Sequence, residues 1–484
     1  MLTKLFTQLN DNRIISELNK ILMSKWMILV ITLLTLISNV FGLELVVLWS
    51  FTFIVVITCL FGDNLLSLLT ISCCGYFTFS KSNNPLSLEQ TSIFLNPSTM
   101  IHIYAITVVV IIVAGGRLIF DIITKKKQGI YQGSNKPKLT LGFIILGIVY
   151  ILGGLFSSHY GFRTAFFGFI QIATLGFSYF YFYYTVDFKK VEKDYFGWLF
   201  LSIGILLTLE TLVMLYQADF FTTTGNFSRD QIFTGWGVNN NVSGMLVMMI
   251  PIPIYFALEK KNSIVYLLIA NILYIATILT QSRNGIFMGG IILLCSLIYY
   301  LIKQDRTNKI KAIVFEIGCF LILALYCIID FEHIKRLFSS IIAVGLDDRG
   351  RFEIYEIGIK QFFELPIFGR GFYETGLWQW GINVDTDFLP PRYHNTFIQL
   401  LASCGAAGLA GYIFHRIQTL KIIFNKLNNE RFILGMSIIG LLIISILDCH
   451  FFNMGPGFIY GALLLFVEID YLKTKGLVYE VNPI

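Results

Sequence analysis

The apolar positions of this chain fall into long blocks and the polar positions into short ones. Fourteen apolar runs can be drawn, at roughly 26–42, 44–61, 65–79, 100–120, 139–157, 164–186, 196–216, 242–258, 263–280, 285–303, 312–330, 395–414, 432–448 and 456–471. A helix needs about 20 mostly apolar residues to cross a bilayer. The third and last runs are short, so the pattern predicts an all-α, polytopic membrane protein with 12–14 spans. Ahead of the first run, Leu2, Leu5, Phe6, Leu9, Ile15, Leu18 and Leu22 recur at helical spacing among polar residues. Residues 1–25 therefore read as an amphipathic segment lying on the membrane face.

Most connections between runs are short. The exception is residues 331–394, and a long loop with its own structure is usually functional. This divides the chain into a bundle at 26–330, a large loop at 331–394, C-terminal spans at 395–471 and a tail at 472–484. Inside the loop, Asp347 or Asp348 can cap a helix that starts near Arg349. Phe352, Tyr355, Ile359 and Phe362/Phe363 give that helix one apolar face, and Pro366 ends it. The helix is expected to lie flat on the membrane surface, with the free N–H groups of its first turn suited to an anion. The loop closes on "PPRYHNTF", where Asn395 is placed to cap the next span.

Composition agrees with the pattern. Of 484 residues, 56% are hydrophobic and 14% charged, against about 25% charged in soluble domains; mean hydropathy is +0.71. The 8 Cys lie within or at the edge of apolar runs, without metal-ligand spacing, and predict neither a disulfide framework nor zinc.

Charge adds an orientation. Basic residues near span ends favour the cytoplasm, and placing both termini there puts 20 Lys and 4 Arg inside. The outer side then holds 3 Lys and 8 Arg: Arg163, Arg229, Arg283, Arg336, Arg349, Arg351, Arg370 and Arg392. Arginine grips phosphate oxygens with a rigid fork, and lysine does not. An outer face rich in arginine points to an anionic, phosphate-bearing ligand; pairing with outer acids such as Glu353 is the structural alternative.

Arg283 sits in a tight outer connection, where a charge is costly and a functional role is the default. Arg351 stands beside the first turn of the loop helix. Both are candidates to carry developing charge in a water-poor site. Arg229, Arg349, Arg370, Arg392 and Asn395 are the further candidates for substrate contact, and "NNN" at 239–241 suits polar-ligand contacts. His394 stands at a helix start, where positive potential favours the neutral, proton-accepting imidazole. His102, His159, His333, His415 and His450 lack that context and read as structural; helix rise alone would put His415 about 30 Å from His394. No cluster of outer carboxylates suggests a metal, and no cofactor is called for.

Four stretches together resemble the O-antigen ligase/polymerase superfamily of bacterial cell-envelope polysaccharide assembly. They are "QSRNG" (281–285), Gly350-Arg351 with Tyr355, "PIFGRGF" (366–372) and "HNTFIQLLASCGAAGL" (394–409). The resemblance covers roughly 225–415. It implies a GT-C-like helical glycosyltransferase in the bacterial inner membrane, metal-independent and inverting. It further implies an undecaprenyl-pyrophosphate-linked oligosaccharide as donor, pyrophosphate held by Arg283 and Arg351, and His394 acting on the acceptor hydroxyl. The implied partners are the lipid-linked glycan, the bilayer, a chain-length regulator and a flippase, and no nucleic acid. Arg370 departs from the family, where that position is usually small and apolar. The reading favoured is a polymerase of O-antigen, capsule or exopolysaccharide repeats. A ligase is the alternative within the family. A lipid-linked oligosaccharide flippase is the alternative outside it, disfavoured because the mid-span regions read as nearly uncharged and no repeat is visible.

Overall fold

The computed structural model describes residues 13–80, 97–128, 136–158, 160–217, 233–234, 237–331, 334–335, 338, 350–372 and 393–477. These are almost entirely helical. In chain order the helices are α1 (Arg13–Met23), α2 (Lys25–Phe41), α3 (Glu44–Phe61), α4 (Leu66–Cys74), α5 (Pro97–Gln128), α6 (Thr140–Ile151), α7 (Phe162–Thr185) and α8 (Tyr195–Gln217). A two-residue antiparallel pair, β1 (Phe233–Thr234) with β2 (Gly237–Val238), precedes α9 (Asn239–Met249) and α10 (Ile252–Glu259). There follow α11 (Ser263–Leu279), α12 (Arg283–Lys303), α13 (Arg306–Ile329), α14 (Arg351–Glu364), α15 (Thr396–Ile423), α16 (Asn429–Ile444) and α17 (Met454–Thr474).

Each of the fourteen apolar runs contains a helix. Among the described residues nine helices are long and apolar enough to cross a membrane, or ten if the bent pair α1–α2 is one span. The chain is a multi-pass membrane protein. The shorter helices have local causes. The run at 139–157 stops being helical after Ile151, where Gly154 takes a positive φ of 85° and donates its N–H to Phe368 O at 2.7 Å. Any Cβ there would lie 2.7 Å from Arg370 O. At about 1.5 Å per residue α6 is well short of a bilayer core, and a turn completes the run. The run at 432–448 ends at Ser445.

The α1 segment turns 66° from α2. Its Asn19 accepts from Asp63 N–H at 3.0 Å and donates to Phe61 O at 3.4 Å. The amphipathic segment is thus clamped to the end of α3.

The centre is formed by α9–α10 and α17, which are almost wholly buried, while α13 packs on one side only. Helix α17 lies along α7 and α16, and α15 lies along α6. Glycines set these approaches: a Cβ on Gly461 would lie 2.5 Å from Leu175 O, and one on Gly411 would lie 2.9 Å from Val149. The bundle is less uncharged than its hydropathy suggests. Arg117, Asp121, Glu210, Arg416, Arg431, Glu468 and Asp470 are all buried. Arg117 pairs with Asp121 at 3.0 Å and Arg431 with Asp470 at 2.6 Å. Glu468 accepts from Lys138 N–H at 2.6 Å, serving the first turn of α6 from another helix.

Candidate active site

His394 is held in a left-handed backbone conformation, φ 48°. That region is uncommon for residues other than glycine, and histidine is among those that enter it more readily. Its neighbours over-determine it. Tyr355 on α14 donates its hydroxyl to His394 O at 3.1 Å, and Tyr393 N–H donates to Gln399 Oε1 at 3.1 Å. Asn395 caps α15, accepting from Phe397 N–H at 2.8 Å and Ile398 N–H at 3.1 Å. The expected cap is therefore present, and only the Asn395 amide nitrogen is left for other contacts.

The His394 ring turns its Nδ1 to Asp448 Oδ1 at 3.2 Å. Asp448 lies in the connection between α16 and α17, far along the chain. Its other oxygen accepts from Asn240 at 3.2 Å, and Oδ1 also accepts from Cys449 N–H at 2.7 Å. Burial by itself would raise this carboxyl. The His450 charge, the His394 hydrogen bond and charge, and the Cys449 N–H outweigh it and hold Asp448 well below the usual carboxylate range. An ionised Asp448 fixes the proton of a neutral His394 ring on Nδ1. Nε2 is then the nitrogen that can accept a proton, and the ring is partly open, with 38% of the side chain exposed.

Arg351 is drawn to the same point. Its Nη1 donates to Leu447 O at 3.0 Å, one residue before Asp448. Arg351 and Tyr355 lie one turn apart on α14, so one face of this helix reaches both the Asp448 segment and the His394 backbone. This gives a physical reason for the Arg351–Tyr355 spacing. Helix α14 can lie so close because Gly358 faces α15; a Cβ there would meet Ile398 at 2.5 Å and Tyr393 at 2.7 Å. Phe352, Ile359 and Phe363 form the outward apolar stripe. The helix begins at Gly350, which has φ 75° and no side-chain cap. Asp347 and Asp348 lie outside the described residues.

Arg283 is the first residue of α12, capped by Ser282, whose hydroxyl accepts from Gly285 N–H at 3.3 Å. Its neighbour Asn284 donates to Ile444 O at 2.7 Å. The start of α12 thus sits against the end of α16, a few residues from Asp448.

Arg370 has a different setting. Its guanidinium pairs with Glu364, and its backbone enters a break in α15. At Gly405 (φ 63°, ψ −161°) α15 leaves helical geometry. Residues 366–371 fill the gap: Arg370 and Gly371 N–H donate to Ala402 O and Ser403 O, both at 2.8 Å. Ala406 and Ala407 N–H donate to Pro366 O and Ile367 O at 2.8 and 3.1 Å. The groups orphaned by the break are thereby satisfied. "PIFGRGF" is a backbone splint, and Gly405 makes the break rather than a close helix contact.

The break also changes where α15 leads. The Phe397 and Tyr412 rings lie 6.1 Å apart, where a straight helix would separate those residues by about 22 Å. His415 is buried beyond the bend, its ring tilted against Phe143 at 4.6 Å between centroids, with Nε2 3.4 Å from Tyr460 Oη. His415 and Arg416 belong to the packed interior, not to a polar end as the charge pattern suggested.

The asparagine run braces this end of the bundle. Asn239 donates to Thr280 O at 3.3 Å, Asn240 holds Asp448, and Asn241 Oδ1 meets His450 Nδ1 at 3.1 Å. Arg229, Arg336, Arg349, Arg392, His159 and His333 lie outside the described residues. Asp448 escaped the sequence reading because it terminates an apolar run; "LDCH" at 447–450 was the available signal.

Residues 264–413 match the family model of the O-antigen ligase. The match supports placement in the O-antigen ligase/polymerase superfamily. The matched region contains Arg283, Arg351, Arg370, His394 and Asn395, whereas Asp448 and Asn240 come from the flanking chain. No curated protein matches the chain.

Proposed function

We propose that the chain is a polymerase that joins undecaprenyl-pyrophosphate-linked oligosaccharide repeats into O-antigen, capsular or exopolysaccharide. In this reading it works on the outer face of the bacterial inner membrane, with both termini cytoplasmic. The O-antigen ligase region supports glycosyl transfer in general. The observation that carries the finer reading is the His394–Asp448 pair with Arg351 bonded beside it.

In the proposed reaction the acceptor hydroxyl gives its proton to His394 Nε2 as its oxygen bonds to the anomeric carbon of the donor. The bond from that carbon to the pyrophosphate oxygen breaks, and its electron pair leaves with the pyrophosphate. Attack opposite the leaving group inverts the centre. Asp448 keeps the ring oriented and stabilises the imidazolium that forms. Arg351 and Arg283 supply fixed positive charge to the leaving group. Arg229, Arg349 and Arg392 are proposed as further donor contacts, with the Asn395 amide nitrogen. Arg370 is the weakest of these because Glu364 already holds it.

The test is incubation of the purified chain with a lipid-linked repeat unit. A ladder of products supports polymerisation. Single transfer of finished polymer to a different acceptor would make it a ligase. Product-free movement of the lipid-linked unit across a vesicle membrane would make it a flippase.

A further inference from the structure

Three arginines are buried among the described residues: Arg117, Arg416 and Arg431. Arg117 and Arg431 each have an aspartate. Arg416 makes no ion pair with any described residue. Its guanidinium carbon instead lies 4.5, 4.1 and 4.7 Å from the ring centroids of Tyr412, Phe451 and Tyr460.

One side of the group is committed: Nη1 donates to the Tyr460 hydroxyl. The other is not. Nε and Nη2 are both buried and make no hydrogen bond of good geometry, and the Tyr412 hydroxyl is, among the described residues, the one further group close enough to act on the guanidinium as an acceptor. These two nitrogens form one edge of the guanidinium fork, with parallel N–H bonds that converge on a single acceptor. The Tyr150 hydroxyl is also buried without a partner, and Tyr150 and Arg416 act on each other electrostatically.

A guanidinium stays charged in proteins. Aromatic faces offset part of the cost of burying it, but leaving a cation uncompensated in an apolar interior is strongly unfavourable. The fold spends an aspartate on each of the other two buried arginines and none on this one.

We propose that the Nε/Nη2 edge of Arg416, together with the Tyr150 hydroxyl, binds a small monovalent anion of the chloride class. A group enclosed by three rings at 4.1–4.7 Å suits a compact anion rather than a branched phosphate. One of the three rings, Phe451, follows His450 in the short turn next to Asp448, so the anion site adjoins the segment that carries Asp448. This inference does not depend on the polymerase reading.

The test uses the full chain in lipid nanodiscs, with thermal unfolding followed as chloride replaces gluconate at constant ionic strength. The expected result is a saturable rise of several degrees, reproduced by bromide and absent in Arg416→Gln. If Arg416→Gln does not fold, Tyr150→Phe serves instead. It should raise the half-saturating chloride concentration about 5-fold, the loss of one hydrogen bond. In a bromide-soaked crystal, anomalous density should lie beside Nε and Nη2. Unfolding that is indifferent to chloride, an unchanged response in either variant, or no bromide at that edge overturns the proposal.

Discussion

Arg431 and Arg351 both reach segments bordering α16 and α17, and the molecule uses them in opposite ways. Arg431 is wholly buried, with Nε on Asp470 at 2.6 Å, Nη2 on Thr474 at 2.9 Å and Nη1 on Asn425 O. Arg351 is half-exposed and spends one donor on Leu447 O at 3.0 Å. A guanidinium has five donors. The first arginine is consumed by the fold. The second keeps donors to spare beside an ionised aspartate and a partly open histidine. What separates a structural charge from a candidate site is this remaining capacity, not residue type or depth.

The sharpest break of the comparison is at His394. Asparagine tolerates the left-handed backbone there and removes the base. His394→Asn should cost no more than about 1 kcal/mol of stability, the loss of one hydrogen bond, and slow chain elongation from lipid-linked repeats by about 100- to 10,000-fold, the usual weight of a general base. Elongation at the wild-type rate would remove the proposed chemistry.

The arginine pair gives a crossed prediction. Arg431→Met leaves Asp470 as a buried, uncompensated charge and should cost about 3–5 kcal/mol of stability. Activity per folded molecule should stay close to wild type. Arg351→Met should do the reverse, with little change in unfolding and about a 100- to 1,000-fold loss of turnover. Unfolding curves and elongation rates on the same preparations check both. The comparison fails if the two variants behave alike.

The same contrast explains what could be read from the chain. Spans, loop helix and the Asn395 cap were legible because apolar blocks, proline and capping residues act over a few neighbouring positions. Arg283, Arg351 and His394 stood out because a charge beside an apolar run is costly wherever the run folds. Asp448 did not stand out, and Asn240 did so only as part of an asparagine run, since their pairing comes from contacts across the whole C-terminal half. Arg370 and Gly405 have a second role that was hidden for a related reason. Both serve a backbone splint that only the folded chain reveals. Arg416 shows the limit of charge counting, because a cation near a span end looks the same whether it faces water or a ring cage.

That splint ties α14 to α15 and so holds the Arg351–Tyr355 face against His394. A Cβ on Gly405 would lie 2.4 Å from Ile367 O, in a backbone conformation with φ 63°. Gly405→Ala should therefore cost about 1–3 kcal/mol of backbone strain, with elongation reduced in the protein that still folds. An alanine variant as stable as wild type would mean that the break can be rebuilt as continuous helix.

The smallest effect is a pH dependence, and it comes from Asp448. His394, His450 and the Cys449 N–H hold its carboxyl below the usual range in the folded chain. In the unfolded chain it titrates near the ordinary value of about 4. A depressed folded-state value means that the unfolded chain takes up the proton first as pH falls. The stability contributed by Asp448 is therefore fully present above about pH 4 and is lost progressively below it. Asp448→Asn lacks this linkage. The gap in stability between wild type and Asp448→Asn, on the order of 1 kcal/mol at neutral pH, should narrow as unfolding is repeated from pH 5 downward. A gap that stays constant with pH would show that Asp448 is not held ionised by its neighbours, and the fixed tautomer of His394 would go with it.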